Sequence, residues 1–187
     1  KQWKESGKPK REFLRMLSQI EGFYVPEFYE PVYDETGIIT EIRPLIAEAP
    51  YPVKRRIVKD FENAYYPTKV IVPFVEAVHD RIILEIMRGC SRGCRFCQAG
   101  YVYRPVRERS LKKLVQLAEE TVNNTGYQEI SLSSLSSGDY SCISELVQEL
   151  NTALSKKRVA SSLPSLRIDS FDESFISDEM RRSSLTF

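Results

Sequence analysis

Ile82-Ile83-Leu84-Glu85-Ile86-Met87-Arg88-Gly89-Cys90-Ser91-Arg92-Gly93-Cys94-Arg95-Phe96-Cys97 joins a short apolar run directly to three closely spaced cysteines. The run 82–86 has the composition of a strand covered on both faces. The thiols that follow are spaced C-x3-C-x2-C, so one short, glycine-bearing loop can wrap three thiolates around a single centre.

Downstream of this loop the pattern becomes regular. Ser110 is placed to cap a helix in which Leu111, Leu114, Val115, Ala118 and Val122 share a face, and Asn123-Asn124-Thr125-Gly126 supplies its stop. Residues 129–133 read as a second strand and 133–139 as a Ser-rich loop. Ile143, Leu146, Val147, Leu150 and Leu154 then form the apolar face of the next helix. A third strand is expected within 158–168, a third helix over 170–180 and the start of a fourth strand at 184–187. Strands alternating with amphipathic helices imply an α/β fold of parallel βαβ units, in which loops at the C-terminal ends of strands carry the chemistry. The cysteines occupy the first such loop.

Upstream the texture is different. Phe13, Leu14, Leu17 and Ile20 recur at helical spacing over 9–21, and Gly22 ends that helix. From 23 to 79, Pro26, Pro31, Pro44, Pro50, Pro52, Pro67 and Pro73 interrupt runs rich in Tyr, Val and Ile, which excludes long helices and central strands. Within this stretch, residues 29–32 and 38–42 flank Asp34-Glu35-Thr36-Gly37, a loop of hairpin type. The expected divisions are 1–22, the helical tail of an upstream domain; 23–79, a Pro/Tyr-rich linker with a hairpin; and 80–187, the first part of a barrel. No initiator Met lies near Lys1, and three and a half βα units are too few to close a barrel. An internal fragment of a longer protein is therefore expected.

The 187 residues carry 27 Lys+Arg against 26 Asp+Glu, a formal charge of +1, so no global surplus marks a nucleic-acid coat or a disordered tail, and charge balance decides little. At 42% hydrophobic, the chain can bury a real core. No run approaches the roughly 18 apolar residues a membrane helix requires, so no membrane partner and a cytoplasmic location are expected. Four cysteines, three of them within eight positions, do not make a secreted disulfide scaffold.

Three thiolates leave a tetrahedral metal one ligand short. The single histidine, His79, lies across the first strand, and Cys142 lies far downstream at the start of a helix, so a closed zinc site lacks its fourth ligand. A [4Fe–4S] cluster with one iron open to an exogenous ligand suits the donor set. Structural zinc remains an alternative, as does a reactive thiol site, although no His base is near.

C-x3-C-x2-C with Phe96 just before the last cysteine, directly after the first strand, resembles the motif of the radical S-adenosylmethionine (SAM) superfamily. The longer string from Met87-Arg88-Gly89-Cys90 through Cys97-Gln98-Ala99-Gly100-Tyr101-Val102-Tyr103-Arg104-Pro105-Val106-Arg107-Glu108-Arg109-Ser110 resembles one uncharacterised branch with an N-terminal cobalamin (B12)-binding domain, related in layout to methylthiotransferases. The resemblance covers residues 80–187 well and the linker loosely. It implies a partial (βα) barrel of radical SAM type, with the first three to four βα units, preceded by an extended, hairpin-containing linker.

The resemblance further implies that Cys90, Cys94 and Cys97 hold a [4Fe–4S] cluster, that SAM chelates the open iron, and that an electron cleaves SAM to a 5′-deoxyadenosyl radical acting on an unknown substrate. An electron donor such as flavodoxin or ferredoxin is implied as partner. Cobalamin is implied only for the full-length protein, since no cobalamin-binding histidine motif is present here. Carried over by position, Phe96 would lie against the adenine, its alternative role being a core aromatic. Residues 133–140 take the place of the family's glycine-rich motif that meets SAM's amino group. They depart from its Gly-Gly-Glu type, so Ser134 and Ser136 are expected to supply contacts; simple capping of the next helix is the alternative. Ser165 and Arg167, at the end of the third strand, are expected to reach SAM or substrate, a plain surface charge being the alternative for the arginine.

Arg88, Arg92, Arg95, Arg104, Arg107 and Arg109 crowd this region, offset only by Glu108. They can neutralise an anionic cluster and the SAM carboxylate, or bind an RNA substrate. The competing reading is a non-catalytic zinc- or cluster-stabilised nucleic-acid-binding module.

Overall fold

The computed structural model describes residues 2–75, 78–167, 169 and 184–185. The chain divides into two compact units, Lys1–Lys59 and Asp60–Phe187.

The first unit contains α1 (Gln2–Ser6), α2 (Lys10–Ser18), a 3-10 turn at Pro26–Phe28 and the antiparallel pair β1 (Tyr29–Tyr33) and β2 (Ile39–Pro44). Its small core is Val25, Phe28, Tyr29 and Ala49, onto which Leu14, Leu17, Ile42, Ile46 and Val53 pack. The helix expected over 9–21 ends at Ser18, where Gln19 N–H and Ile20 N–H turn back onto Met16 and Leu17 carbonyls and leave Ile20 exposed. The hairpin forms as expected. Asp34 Oδ1 accepts from the Thr36 amide and hydroxyl and from the Ile38 amide, and Gly37 takes the positive φ that closes the turn.

In the second unit, β3 (Ile82–Glu85) is followed by β4 (Met87–Arg88), α3 (Ala99–Val102), β5 (Arg107–Glu108), α4 (Leu111–Thr125), β6 (Glu129–Ser133), α5 (Ile143–Leu154), β7 (Ala160–Leu163) and β8 (Ser184–Leu185). β3, β6, β7 and β8 make one parallel sheet in that order. Because each new strand is added beside the preceding one, α4 and α5 pack together on one side. There Leu114, Leu117, Ala118, Leu146 and Leu150 bury Ile82, Leu84, Ile130, Leu132 and Leu163. The unit is thus α/β. The sheet is open, with β3 and β8 as its edges, and no barrel closes among the described residues.

That one-sided packing corrects one expectation. β3 is not covered on both faces: Ile83 is 56% exposed, while its neighbours Ile82 and Leu84 are buried. Alternate side chains of a strand face opposite ways, and among the described residues α4 and α5 pack on the side that Ile82 and Leu84 face. The other sheet-borne elements follow the sequence pattern. β6 occupies 129–133, all five apolar residues assigned to the α5 face are buried, and Ser110 Oγ accepts from the Lys113 amide to cap α4, which Gly126 ends in a left-handed conformation. β7 stops just before Pro164, as expected of a residue that cannot donate to a ladder. The helix expected over 170–180 lies outside the described residues.

Residues 60–68 lie along the second unit. Tyr66 donates to the Ile83 carbonyl (2.9 Å), Thr68 Oγ1 to Glu120, and Asn124 to the Thr68 carbonyl. Glu62 takes both the amide (2.7 Å) and the hydroxyl (2.6 Å) of Ser110. Although burial pushes its carboxyl upward, these hydrogen bonds hold it below the usual carboxylate range.

Candidate functional site

β4 and β5 pair antiparallel, Met87 with Glu108 and Arg88 with Arg107, and so close the base of a loop spanning 89–106. Gly89 sits at its entrance with φ +87°. A Cβ there would lie 2.5 Å from the Tyr103 carbonyl oxygen and 2.7 Å from that of Pro105. Only glycine permits this approach of the two loop arms immediately before Cys90.

Within the loop, Gly93 also has positive φ, the Cys97 amide donates to the Cys94 carbonyl (3.0 Å), and Tyr101 Oη donates to the Gly93 carbonyl (3.1 Å). Arg104 acts as an internal staple. Its Nε donates to the carbonyls of Gly100 (2.9 Å) and Cys90 (3.3 Å), its Nη2 to that of Ser91 (3.2 Å), and its guanidinium lies over the Tyr101 ring. A cleft of about 400 Å³ opens beside it, lined by Cys90, Ser91, Arg104, Pro105 and Val106.

The loops after β3, β6 and β7 meet in a ring of three contacts. Arg92, between the first two cysteines, grips Asp139 in the turn after β6, with Nε 2.8 Å from Oδ2 and Nη2 on Oδ1. The Arg92 hydrogen bond holds the Asp139 carboxyl below the usual range. The Ser137 amide donates to the Ser165 carbonyl (3.3 Å), joining the loops after β6 and β7. Arg167 Nη1 donates to Cys94 Sγ (3.4 Å), joining the loop after β7 to the cysteine loop.

The ring brings Cys94 and Arg167 together, and the other residues singled out from sequence lie in the joined loops in differing states. Phe96 is 92% exposed and is not a core aromatic. Ser134 is engaged in the turn itself, through the Ser137 hydroxyl (3.0 Å) and the Ser136 amide (3.2 Å). Ser136 Oγ is buried without a hydrogen-bond partner, and its side chain is close enough to Asp139 to help hold that carboxyl below the usual range. Ser165 is exposed, with φ +60°.

Cys90, Cys94 and Cys97 are free and partly buried, but among the described residues no three Cys, His, Asp or Glu are gathered as a metal site. The attraction that draws thiolates together comes from the metal, whose binding is coupled to local folding. The donor set nevertheless fits an iron–sulfur centre: three thiols on one short loop, its entrance tightened at Gly89.

Most of the arginine surplus is engaged by the unit's own groups. Arg88 pairs with Glu85 (2.6 and 2.8 Å), and Arg107 donates to the carbonyls of Pro105 and Tyr103. Arg109 is 1% exposed, stacked on Phe61 and bonded to the Glu62 and Ala64 carbonyls at 3.1–3.2 Å. Burial holds its guanidinium below the usual arginine range. Most of these guanidiniums are occupied within the unit, because the loop backbone turns many carbonyls inward that need donors.

Sequence reasoning missed Asp139 as partner of Arg92, and Glu108, whose carboxylate receives the Ser141 amide (3.1 Å) and hydroxyl just before α5. Neither is marked by a local pattern. The need for Gly89 was open to detection, as a glycine abutting the first cysteine.

Residues 84–180, just over half of the chain, match the family model described as the radical SAM superfamily. The chain belongs to the radical SAM superfamily. It is also similar to an uncharacterised protein of Methanocaldococcus jannaschii, MJ0966, being 37% identical over 102 residues that cover 50% of this chain. The match spans 23% of that relative's length, about a quarter. No helix among the described residues is long and apolar enough to cross a membrane.

Proposed function

We propose that this chain carries the cluster and SAM site of a radical SAM enzyme. The observation that supports this best is the C-x3-C-x2-C loop itself, set at the C-terminal end of the first parallel strand and met there by the loops from the next two. Cys90, Cys94 and Cys97 would hold a [4Fe–4S] cluster. When bound, that cluster supplies the electron for reductive cleavage of SAM to a 5′-deoxyadenosyl radical.

Around it the chain's own residues have defined work. Arg104 and Tyr101 hold the loop backbone, and Arg92 on Asp139 fixes the loop against the turn after β6. Phe96, with almost its whole ring exposed, offers an aromatic face to the adenine of SAM. Ser136 Oγ and Ser165 remain for polar contacts to SAM or substrate, whereas Ser134 is used within its turn. Residues 80–187 would form the start of a (βα) barrel, with 1–22 and 23–79 as a helical tail and linker.

The string 87–110 supports placing the chain in the branch that carries an N-terminal B12-binding domain, related in layout to methylthiotransferases, with cobalamin used by the full-length protein. A cytoplasmic location and an electron donor such as flavodoxin or ferredoxin belong to the same reading.

Anaerobic iron–sulfide reconstitution tests it, with metal analysis and EPR of the reduced sample with and without SAM. About four irons per chain, lost in Cys94→Ala, kept in Cys142→Ala and spectrally responsive to SAM, are expected. Stoichiometric zinc with no assembled cluster would overturn the reading.

A further inference from the structure

We infer that Arg167 is a positioning residue for the proposed cluster, donating a charged hydrogen bond to the sulfur of Cys94 and thereby setting the reduction potential of the centre. The inference rests on the proposed cluster reading and goes beyond it, since sequence placed Arg167 toward SAM or substrate.

The geometry singles out this arginine. Asp169 takes Nε (2.9 Å) and Nη2 (2.6 Å) of the Arg167 guanidinium on its two oxygens. This two-pronged grip fixes the plane of the group and leaves Nη1 directed at Cys94 Sγ, 3.4 Å away. Other cations near the loop have different work. Arg92 is held on Asp139, Arg104 bonds the carbonyls of Cys90, Ser91 and Gly100, and Arg88 pairs with Glu85. Among the described residues, another of the three thiols is approached by backbone: the Arg92 amide lies 3.5 Å from Cys90 Sγ.

Hydrogen bonds to ligating sulfurs withdraw electron density from the cluster and favour its more negative, reduced state. A charged donor does so more strongly than a neutral amide. Removing Arg167 should therefore make the reconstituted cluster harder to reduce without touching its ligands.

The test compares the reconstituted wild-type chain with Arg167→Gln, Arg167→Lys and Asp169→Asn. It uses redox titration in the absence of SAM, and pulsed EPR of reduced wild type labelled with 15N at arginine guanidinium groups. Arg167→Gln is expected to lower the equilibrium for one-electron reduction about tenfold, a shift of about 59 mV to lower potential. Arg167→Lys should recover part of the shift and Asp169→Asn should show part of it. A 15N coupling present in wild type and absent in Arg167→Gln marks the bond itself. A cluster with no such coupling, or with a potential unchanged in Arg167→Gln, overturns this inference alone. Should Arg167→Gln fail to assemble a cluster, loss of the wild-type coupling in Arg167→Lys decides. Wild type that assembles no cluster overturns the proposed function, and this inference with it.

Discussion

Arg92 and Asp139, 47 residues apart, form a two-pronged ion pair that ties the cysteine loop to the turn after β6. The Asp139 side chain is 13% exposed and that of Arg92 44%, so solvent screens the pair only in part. The contribution of such a pair to stability is modest, about 1 kcal/mol. Its larger consequence is geometric, because it fixes the segment between Cys90 and Cys94.

Asp139→Asn should therefore destabilise the chain by about 1 kcal/mol near neutral pH. The folded-state pKa of Asp139 is depressed, chiefly by Arg92, so its stabilisation is full above the unfolded aspartate pKa of about 3.9 and is lost as pH falls through the lower folded value. Urea midpoints of wild type and variant should differ at pH 7, begin to close below about pH 4 and meet only below the depressed folded pKa. A gap independent of pH would exclude the carboxylate as its source.

Gly89→Ala places a Cβ against two backbone carbonyl oxygens at a positive φ, and neither carbonyl can swing away as a flexible side chain would. A loss of about 2–3 kcal/mol is expected, measured by chemical denaturation. Gly126→Ala keeps the positive φ but meets no atom within 4 Å, and should cost about 1 kcal/mol. Equal losses would show that the close approach at Gly89 does not matter.

Arg109→Met removes the donors to the Glu62 and Ala64 carbonyls while filling much of the volume. Unsatisfied acceptors and the lost stack on Phe61 should cost about 2–4 kcal/mol. Arg95→Ala, at an exposed loop position, should stay within about 0.5 kcal/mol of wild type. Thermal melts of the two variants side by side distinguish a buried staple from a surface charge.

Phe96→Ala deletes a ring that is almost wholly in solvent, so thermal stability should change by less than about 0.5 kcal/mol. SAM affinity of the reconstituted protein should nevertheless fall, about tenfold, through loss of the aromatic face. Isothermal titration against SAM measures it, and unchanged affinity would remove Phe96 from the site.

The sequence by itself determined the alternation of the second unit and the donor set of its first loop. β6, the buried face of α5, the Ser110 cap and the Gly126 stop are written in local periodicity and in residues whose short-range hydrogen bonding is their signal. Three thiols within one loop are legible for the same reason. Tertiary structure alone decided the partners. Arg167 meets Cys94 across 73 residues, Arg92 meets Asp139, Arg109 is buried on Phe61, and Ile83 is left exposed. Each outcome depends on strand order and on the side of the sheet that the helices take. Those are properties of chain segments distant in sequence, and no periodicity within one segment encodes them.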